Sequence, residues 1–255
     1  MEEYLYRYIS FESFVGMIQK KALTFVLPEL WDDPKESTPF LELIKQSNNS
    51  YDKILLYSVY QKTYGQCWTR LSESDAMWRI YSYNNRAIRI KVAIDKLKQL
   101  PDVDIVPVKY SDIIEIHTDN KKEAVLQSLS IKRVAFQHES EVRLIKHYRF
   151  MNDEDMEQHI KGFLAVYDSE KGYEIIESMY PNLSLEEKVK KIVETLNIGK
   201  VRQETTDVLF ESITNFIENV KVHPLAPDWY VSIVEEFCRR NNIPFAGKST
   251  LYLDE

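Results

Sequence analysis

The chain has 255 residues, of which 44% are apolar and 29% charged, enough to bury roughly 70–75% of the surface an unfolded chain of this size exposes. Its formal net charge of −7 excludes a general basic surface for gripping duplex nucleic acid and leaves at most a local basic groove. Six glycines, with no G-x-G-x-x-G and no P-loop among them, exclude a glycine-rich phosphate cradle, and Cys67 and Cys238, far apart and without C-x-x-C spacing, suggest neither a disulfide scaffold nor a zinc site.

Met1-Glu2-Glu3-Tyr4 lacks the basic region and apolar run of a signal peptide, and nowhere do about 18 apolar residues follow one another. A cytoplasmic protein with no membrane partner is therefore expected. Tyr4 to Ile9 reads as a strand that points Leu5, Arg7 and Ile9 one way. An Arg between two aliphatics is costly to bury unless a structural carboxylate, Glu141 included, or an anionic ligand receives it. Ser10 is placed to cap a helix to about Lys21, with Phe11, Phe14, Val15 and Ile18 at helical spacing. Ala22 to Leu27 forms a second strand, and Trp31-Asp32-Asp33-Pro34 a turn in which Asp side chains bond nearby backbone N–H groups.

Phe40 to Tyr60 divides into two helical pieces around Asn48-Asn49-Ser50. Gln66 to Leu71 is a strand, and Ser72 with Asp75 resembles a capping box for the helix carrying Met77, Trp78 and Tyr81. After the Asn84-Asn85 turn, the strict alternation of Arg86 to Val92 predicts a half-exposed strand. Trp68, Trp78, Tyr81 and Tyr83 gather aromatic surface here, as core or as a stacking wall for a planar ligand. A short helix from Ile94 to Leu100 precedes a strand from Val103 to Tyr110, placed at an edge by Pro107. Lys121 to about Arg133 is helical, with Lys132 and Arg133 just before an acidic segment. Phe163 to Tyr167 is a strand candidate, Ser184 caps a helix to about Leu196, and a further helix spans roughly Thr205 to Ile217. The last helix opens at Pro227-Asp228, with Tyr230, Ile233, Val234, Phe237 and Cys238 on one side. These elements predict an α/β (α+β) fold, a single mixed sheet flanked by helices in one domain over 1–255, with a helical insertion over 180–218.

The segment from Val134 to Ile145 carries the chemistry. On a continuous strand, Glu139, Glu141 and Arg143 share one face, either a solvated row with an ion pair along the strand or a pocket whose carboxylates meet a cation formed during a reaction. Two carboxylates suit cleavage at a sugar anomeric carbon, where the transition state is oxocarbenium-like. In NAD cleavage a carboxylate such as Glu141 holds the ribose and the developing cation, an Arg such as Arg7 receives the pyrophosphate, and an aromatic wall at Trp78 and Tyr81 stacks on nicotinamide. The five scattered His give no nucleophile–base arrangement, and His138-Glu139 lacks the second His of a metalloprotease, so no metal site is assigned.

Tyr6-Arg7-Tyr8, Leu23-Thr24-Phe25, Asp32-Asp33-Pro34-Lys35-Glu36, Met77-Trp78 through Tyr81, and the x-F-x-x-E-x-E-V-R-L-I block of Phe136 to Ile145 together resemble the bacterial domain-of-unknown-function family numbered 2971. The likeness covers about the first 150 residues and Ser249 to Tyr252. That family is found in mobile and defence-related gene neighbourhoods, so the resemblance implies an anti-phage or toxin setting and a partner protein within a defence system. A second likeness is to ADP-ribosyltransferases, which pair an early-strand Arg or His with a later E-x-E or Q-x-E strand. It implies an ADP-ribosyltransferase-like fold with NAD as substrate, Arg7 on its phosphates or ribose, Glu141 as catalytic carboxylate, Glu139 activating a protein or nucleic-acid acceptor, and Thr24 alone where those enzymes often carry Ser-Thr-Ser. Two other functions remain open. One is a non-enzymatic interaction module fixed by an ionic network of Arg7, Glu139, Glu141 and Arg143, and the other a nuclease holding a divalent ion on Asp32, Asp33 and Glu139.

Overall fold

The computed structural model describes residues 3–33, 35–36, 38–46, 56, 60, 63–116, 121–146, 178, 180–183, 187 and 203–253. The expected strand at Phe163 to Tyr167, nearly all of the helix from Ser184, most of the second piece of the Phe40 to Tyr60 segment and residues 184–186 and 188–202 of the expected insertion lie outside them. Among the described residues no helix is long and apolar enough to cross a membrane.

The first strand β1 (Tyr4–Ser10) leads into helix α1 (Phe11–Lys20), and the boundary is written in the sequence. Ser10 Oγ accepts the Ser13 N–H at 3.1 Å, satisfying a donor the first helical turn leaves free. Phe14, Met17 and Ile18 recur on one face and are buried, and Lys21 ends the helix in the left-handed region at φ 52°. Strand β2 (Ala22–Val26) follows. A single 3₁₀ turn at Pro28–Leu30 precedes helix α2 (Thr38–Gln46). Next come β3 (Tyr64–Thr69), α3 (Asp75–Ile80), β4 (Ala87–Ala93), α4 (Ile94–Leu97), β5 (Val103–Pro107) and β6 (Lys109–Tyr110). Helix α5 (Lys121–Ser128) leads to β7 (Ile131–Lys132) and β8 (Glu141–Lys146). The described chain ends with β9 (Thr205–Leu209), α6 (Ile213–Phe216), β10 (Asn219–Val222), α7 (Asp228–Arg240) and β11 (Phe245–Lys248).

Nine strands form one sheet ordered β11-β10-β4-β1-β3-β2-β9, with β8 also on β3 and β5 outside β8, and every pairing antiparallel except β10 with β11. The chain is thus mixed α/β with a large, mostly antiparallel sheet flanked by helices. Helices α1 and α7 cover one face, where Phe11 and Phe14 meet Phe237 edge-on at 5.5 and 5.6 Å. The ladders are unequal. β3 is paired along its length with β8, six residues deep, but keeps only Tyr6 opposite Thr69 on β1 and Val26 opposite Gly65 on β2. Beyond those single pairs the strands part, and this opening positions the site.

Several expectations are corrected. Val134–Glu139 is a 3₁₀ turn, not strand: Phe136 N–H bonds Arg133 O and Ser140 N–H bonds Gln137 O, and Ser140 at φ 45° turns the chain into β8. Glu139 therefore stands off the strand that carries Glu141 and Arg143. Thr205–Leu209 is strand, because its β-branched Thr205, Thr206 and Val208 pair along β2; only Ile213–Phe216 of the expected helix is helical. β4 is buried on both faces, since Arg89 is received by Glu73 at 3.0 Å. The N-cap of α3 is Ser74, whose Oγ accepts Met77 N–H, in place of Ser72.

Candidate functional site

Where β1, β2 and β3 part, a cavity of about 680 Å³ opens, lined by these strands, by Trp31, Asp32, Asp33 and Glu36, and by Lys132, Phe136, Glu139 and Glu141. That volume lies within the range of small-molecule sites. Its floor is a buried ionic cluster. Lys132 Nζ lies 2.6 Å from Glu139 Oε2, 2.9 Å from Glu141 Oε2 and 3.0 Å from Glu36 Oε1. Arg143, wholly buried, places Nε 2.8 Å from Glu141 Oε1 and Nη2 2.7 Å from Glu36 Oε2, and donates from Nη1 to Leu129 O. Three carboxylates against two cations leave a net −1.

The 3₁₀ turn is what closes this cluster: the left-handed Ser140 lets Glu139 and Glu141 approach one ammonium from different segments. Thr69 Oγ1 holds Glu139 O at 2.5 Å, and the Glu141 N–H donates to Tyr110 Oη at 2.7 Å. Trp31 lies under the Arg143 guanidinium at 4.2 Å and against the bare Cα of Gly65, where a Cβ would come within 2.2 Å of its ring. Asp33 accepts from Lys35 N–H, the turn bond expected of it, and also pairs with Arg133 at 3.0 Å.

The two mid-chain carboxylates are pushed in opposite directions. Burial alone would raise Glu141, but Arg143 and Lys132 outweigh it and hold the group down at about 2. Glu139 is raised, by burial and by the neighbouring Glu141 charge, against the pull of Lys132. Burial also raises Glu36 and, with the Glu141 charge, pushes the Cys67 thiol well up, so Cys67 is no ready thiolate nucleophile.

Arg7 stands apart from this cluster. It lines the cavity, and its side chain forms no hydrogen bond or ion pair with any described residue. Burial pushes its guanidinium down to about 10, and the titratable side chains beside it are Cys67 and Tyr81, with no carboxylate among them. Cys67 also feels the Glu141 charge, and Tyr81 those of Glu139 and Glu141. The cavity is therefore lined both by a guanidinium unpaired among the described residues and by carboxylates of a net negative cluster.

Compared with known proteins, the chain matches no family model, no curated protein and no solved structure. The reading of the site rests on its geometry.

Of the six residues singled out in the sequence, the structure brings Arg7, Thr24, Tyr81, Glu139 and Glu141 to this one cavity. Thr24 arrives with its hydroxyl already donated to Asp207 Oδ1 at 2.5 Å. Trp78 does not arrive. It is fully buried, donates Nε1 to Glu73 at 3.2 Å, and packs edge-on against Tyr8 at 4.7 Å and His223 at 5.5 Å. The aromatic side chains that do line the cavity include Trp31, Phe136, Tyr81 and Trp68. The ionic network expected of Arg7, Glu139, Glu141 and Arg143 exists without Arg7, and its missing members are Lys132 and Glu36. A signal for both was present: Lys132 sits in the basic pair before the acidic segment, and Glu36 in the Asp-Asp-Pro-Lys-Glu run.

Proposed function

We propose that this cavity binds NAD and cleaves the bond between its nicotinamide and ribose, the chemistry of ADP-ribosyltransferases and NAD glycohydrolases. The meeting of an unpaired guanidinium and an acidic cluster in one cavity carries the reading. NAD brings a group for each, an anionic diphosphate and a cationic nicotinamide ribosyl. Arg7, without a partner among the described residues, is free to take the diphosphate through charge-assisted hydrogen bonds. Glu141, held ionised, faces the ribosyl centre as positive charge moves from the nicotinamide nitrogen to the sugar carbon. Phe136, Tyr81 and the exposed Leu30 and Ile80, all lining the cavity, offer apolar surface to the rings. A pair of carboxylates pushed to opposite sides of the ordinary range divides the work: one remains an anion, the other becomes a better base.

Nicotinamide release from NAD by the purified protein, compared with Glu141→Gln, tests this. The variant keeps shape and removes charge, and its rate is expected to fall by about 10²–10⁴-fold. Equal release by both, with the variant shown to be folded by circular dichroism, refutes the proposal.

A second reading follows from the burial of the five charges, which suits a structural lock in a non-enzymatic interaction module. It expects no NAD turnover by either protein. The nuclease reading gains no support: Asp33 is held by Arg133, Glu139 by Lys132, and among the described residues no group of three His, Cys, Asp or Glu side chains is arranged to hold a metal ion.

A further inference from the structure

Resting on the NAD-cleaving reading, we infer that the acceptor of the ADP-ribosyl group is water, which makes the protein a glycohydrolase and not a modifier of other macromolecules. Two observations favour it. Glu139, the group placed to activate an acceptor, is only 6% exposed and lines the cavity, its backbone carbonyl fixed by Thr69 and its Oε2 by Lys132. A side chain projecting from another protein has to enter the cavity beside a bound dinucleotide to meet it, whereas a water needs only the space beside the ribose. The second is basicity: burial makes Glu139 a stronger base than an ordinary surface carboxylate, as removal of a proton from water near neutral pH requires.

The step balances without a further reactant. The bond between ribose C1′ and the nicotinamide nitrogen breaks with its electron pair passing to that nitrogen, which discharges the pyridinium. Water oxygen bonds C1′ and gives its proton to the Glu139 carboxylate, which releases it to solvent. NAD⁺ and water yield nicotinamide, ADP-ribose and one proton.

The experiment incubates the purified full chain with NAD labelled in its adenine, alone, with a mixture of histones and casein, and with agmatine. Nicotinamide, free ADP-ribose and label on protein or agmatine are each quantified, with Glu141→Gln as background. The expected result is one free ADP-ribose per nicotinamide under all three conditions, with no label above background. Label carried onto protein, onto the chain itself or onto agmatine, in step with nicotinamide release, overturns water as acceptor while leaving NAD cleavage standing. Nicotinamide release no greater than that of Glu141→Gln overturns both. The pH profile adds a readout independent of product identity. Activity is expected to rise with pH through a carboxylate shifted above the ordinary range and then level off, a limb that Glu139→Gln removes and a merely structural Glu139 leaves unchanged.

Discussion

Lys132→Met is the most informative single change in the ionic cluster. The ammonium lies within 3.0 Å of three carboxylates, and its removal leaves Glu36, Glu139 and Glu141 facing Arg143 alone, so the buried net charge goes from −1 to −2. Met fills the space of the Lys stem, so the loss is chiefly electrostatic. Removing one member of a buried ionic set costs about 3–5 kcal/mol, because the remaining charges stay desolvated without compensation. The cost should depend on pH with a definite sign. Glu36 and Glu139 already hold protons more tightly in the folded chain than an ordinary carboxylate does, and losing Lys132 raises both further. A carboxylate whose folded value lies above its unfolded value binds more protons in the folded state. The folded variant therefore regains stability as pH falls through that raised value, and loses it as pH rises. Urea unfolding followed by tryptophan fluorescence at pH 7.5 and pH 5 measures this. The expected cost is about 3–5 kcal/mol at pH 7.5 and smaller by about 1 kcal/mol or more at pH 5, what a roughly tenfold gain in the proton affinity of one carboxylate is worth. A cost below about 1 kcal/mol at pH 7.5, the worth of an exposed pair, or one that grows on acidification, would refute the reasoning.

Arg7→Met should leave the melting temperature unchanged or raise it, since the folded chain holds that guanidinium partly desolvated with no carboxylate to offset the burial. The same change should weaken NAD binding by about 10–150-fold in titration calorimetry, the loss of one charge-assisted contact; a sharp drop in melting temperature with unchanged binding would place Arg7 in the structural framework. Gly65→Ala sets a Cβ 2.2 Å from the Trp31 ring, which is packed under Arg143 and cannot yield as a flexible chain end does. It should destabilise by about 1–3 kcal/mol, shift tryptophan emission and slow nicotinamide release, and a variant indistinguishable from the native protein on all three would contradict this packing.

Legibility in the sequence followed the range of the interaction. The β1–α1–β2 opening was readable because a cap three residues from its donor and a helical stripe of Phe14 and Ile18 are local signals, and the same holds for the turn bond of Asp33. The edge position of β5 followed from Pro107, which has no N–H to offer a second neighbour. Local pattern failed where a distant partner decides. Thr205 to Ile217 carries apolar residues at helical spacing, yet β2, some 180 residues earlier in the chain, offers an open edge, and the β-branched half of the segment takes it. Trp31 and Trp78 look alike in the sequence; Tyr8 and His223 close over one, whereas the other meets the cavity beside Gly65. Glu36 reaches Arg143 across 107 positions, a separation at which spacing says nothing.

The cluster is better explained by the cavity than by the sheet. Packed apolar residues of similar volume commonly equal or exceed a buried ionic set in stability, by about 1–4 kcal/mol, so stability alone gives no reason to place three carboxylates and two cations beside the cavity. What apolar packing cannot do is hold two acids, two residues apart, in different states of proton affinity. Arg143 reaches Glu141 and Glu36 but not Glu139, so one acid is held near 2 while the other is raised, and that asymmetry comes from the turn at Ser140 that takes Glu139 off the strand. A continuous strand would have set both carboxylates in one row. The departure of the backbone from the extended form, at odds with the alternation of its sequence, is thus the feature that sets the proton affinities of the two carboxylates apart.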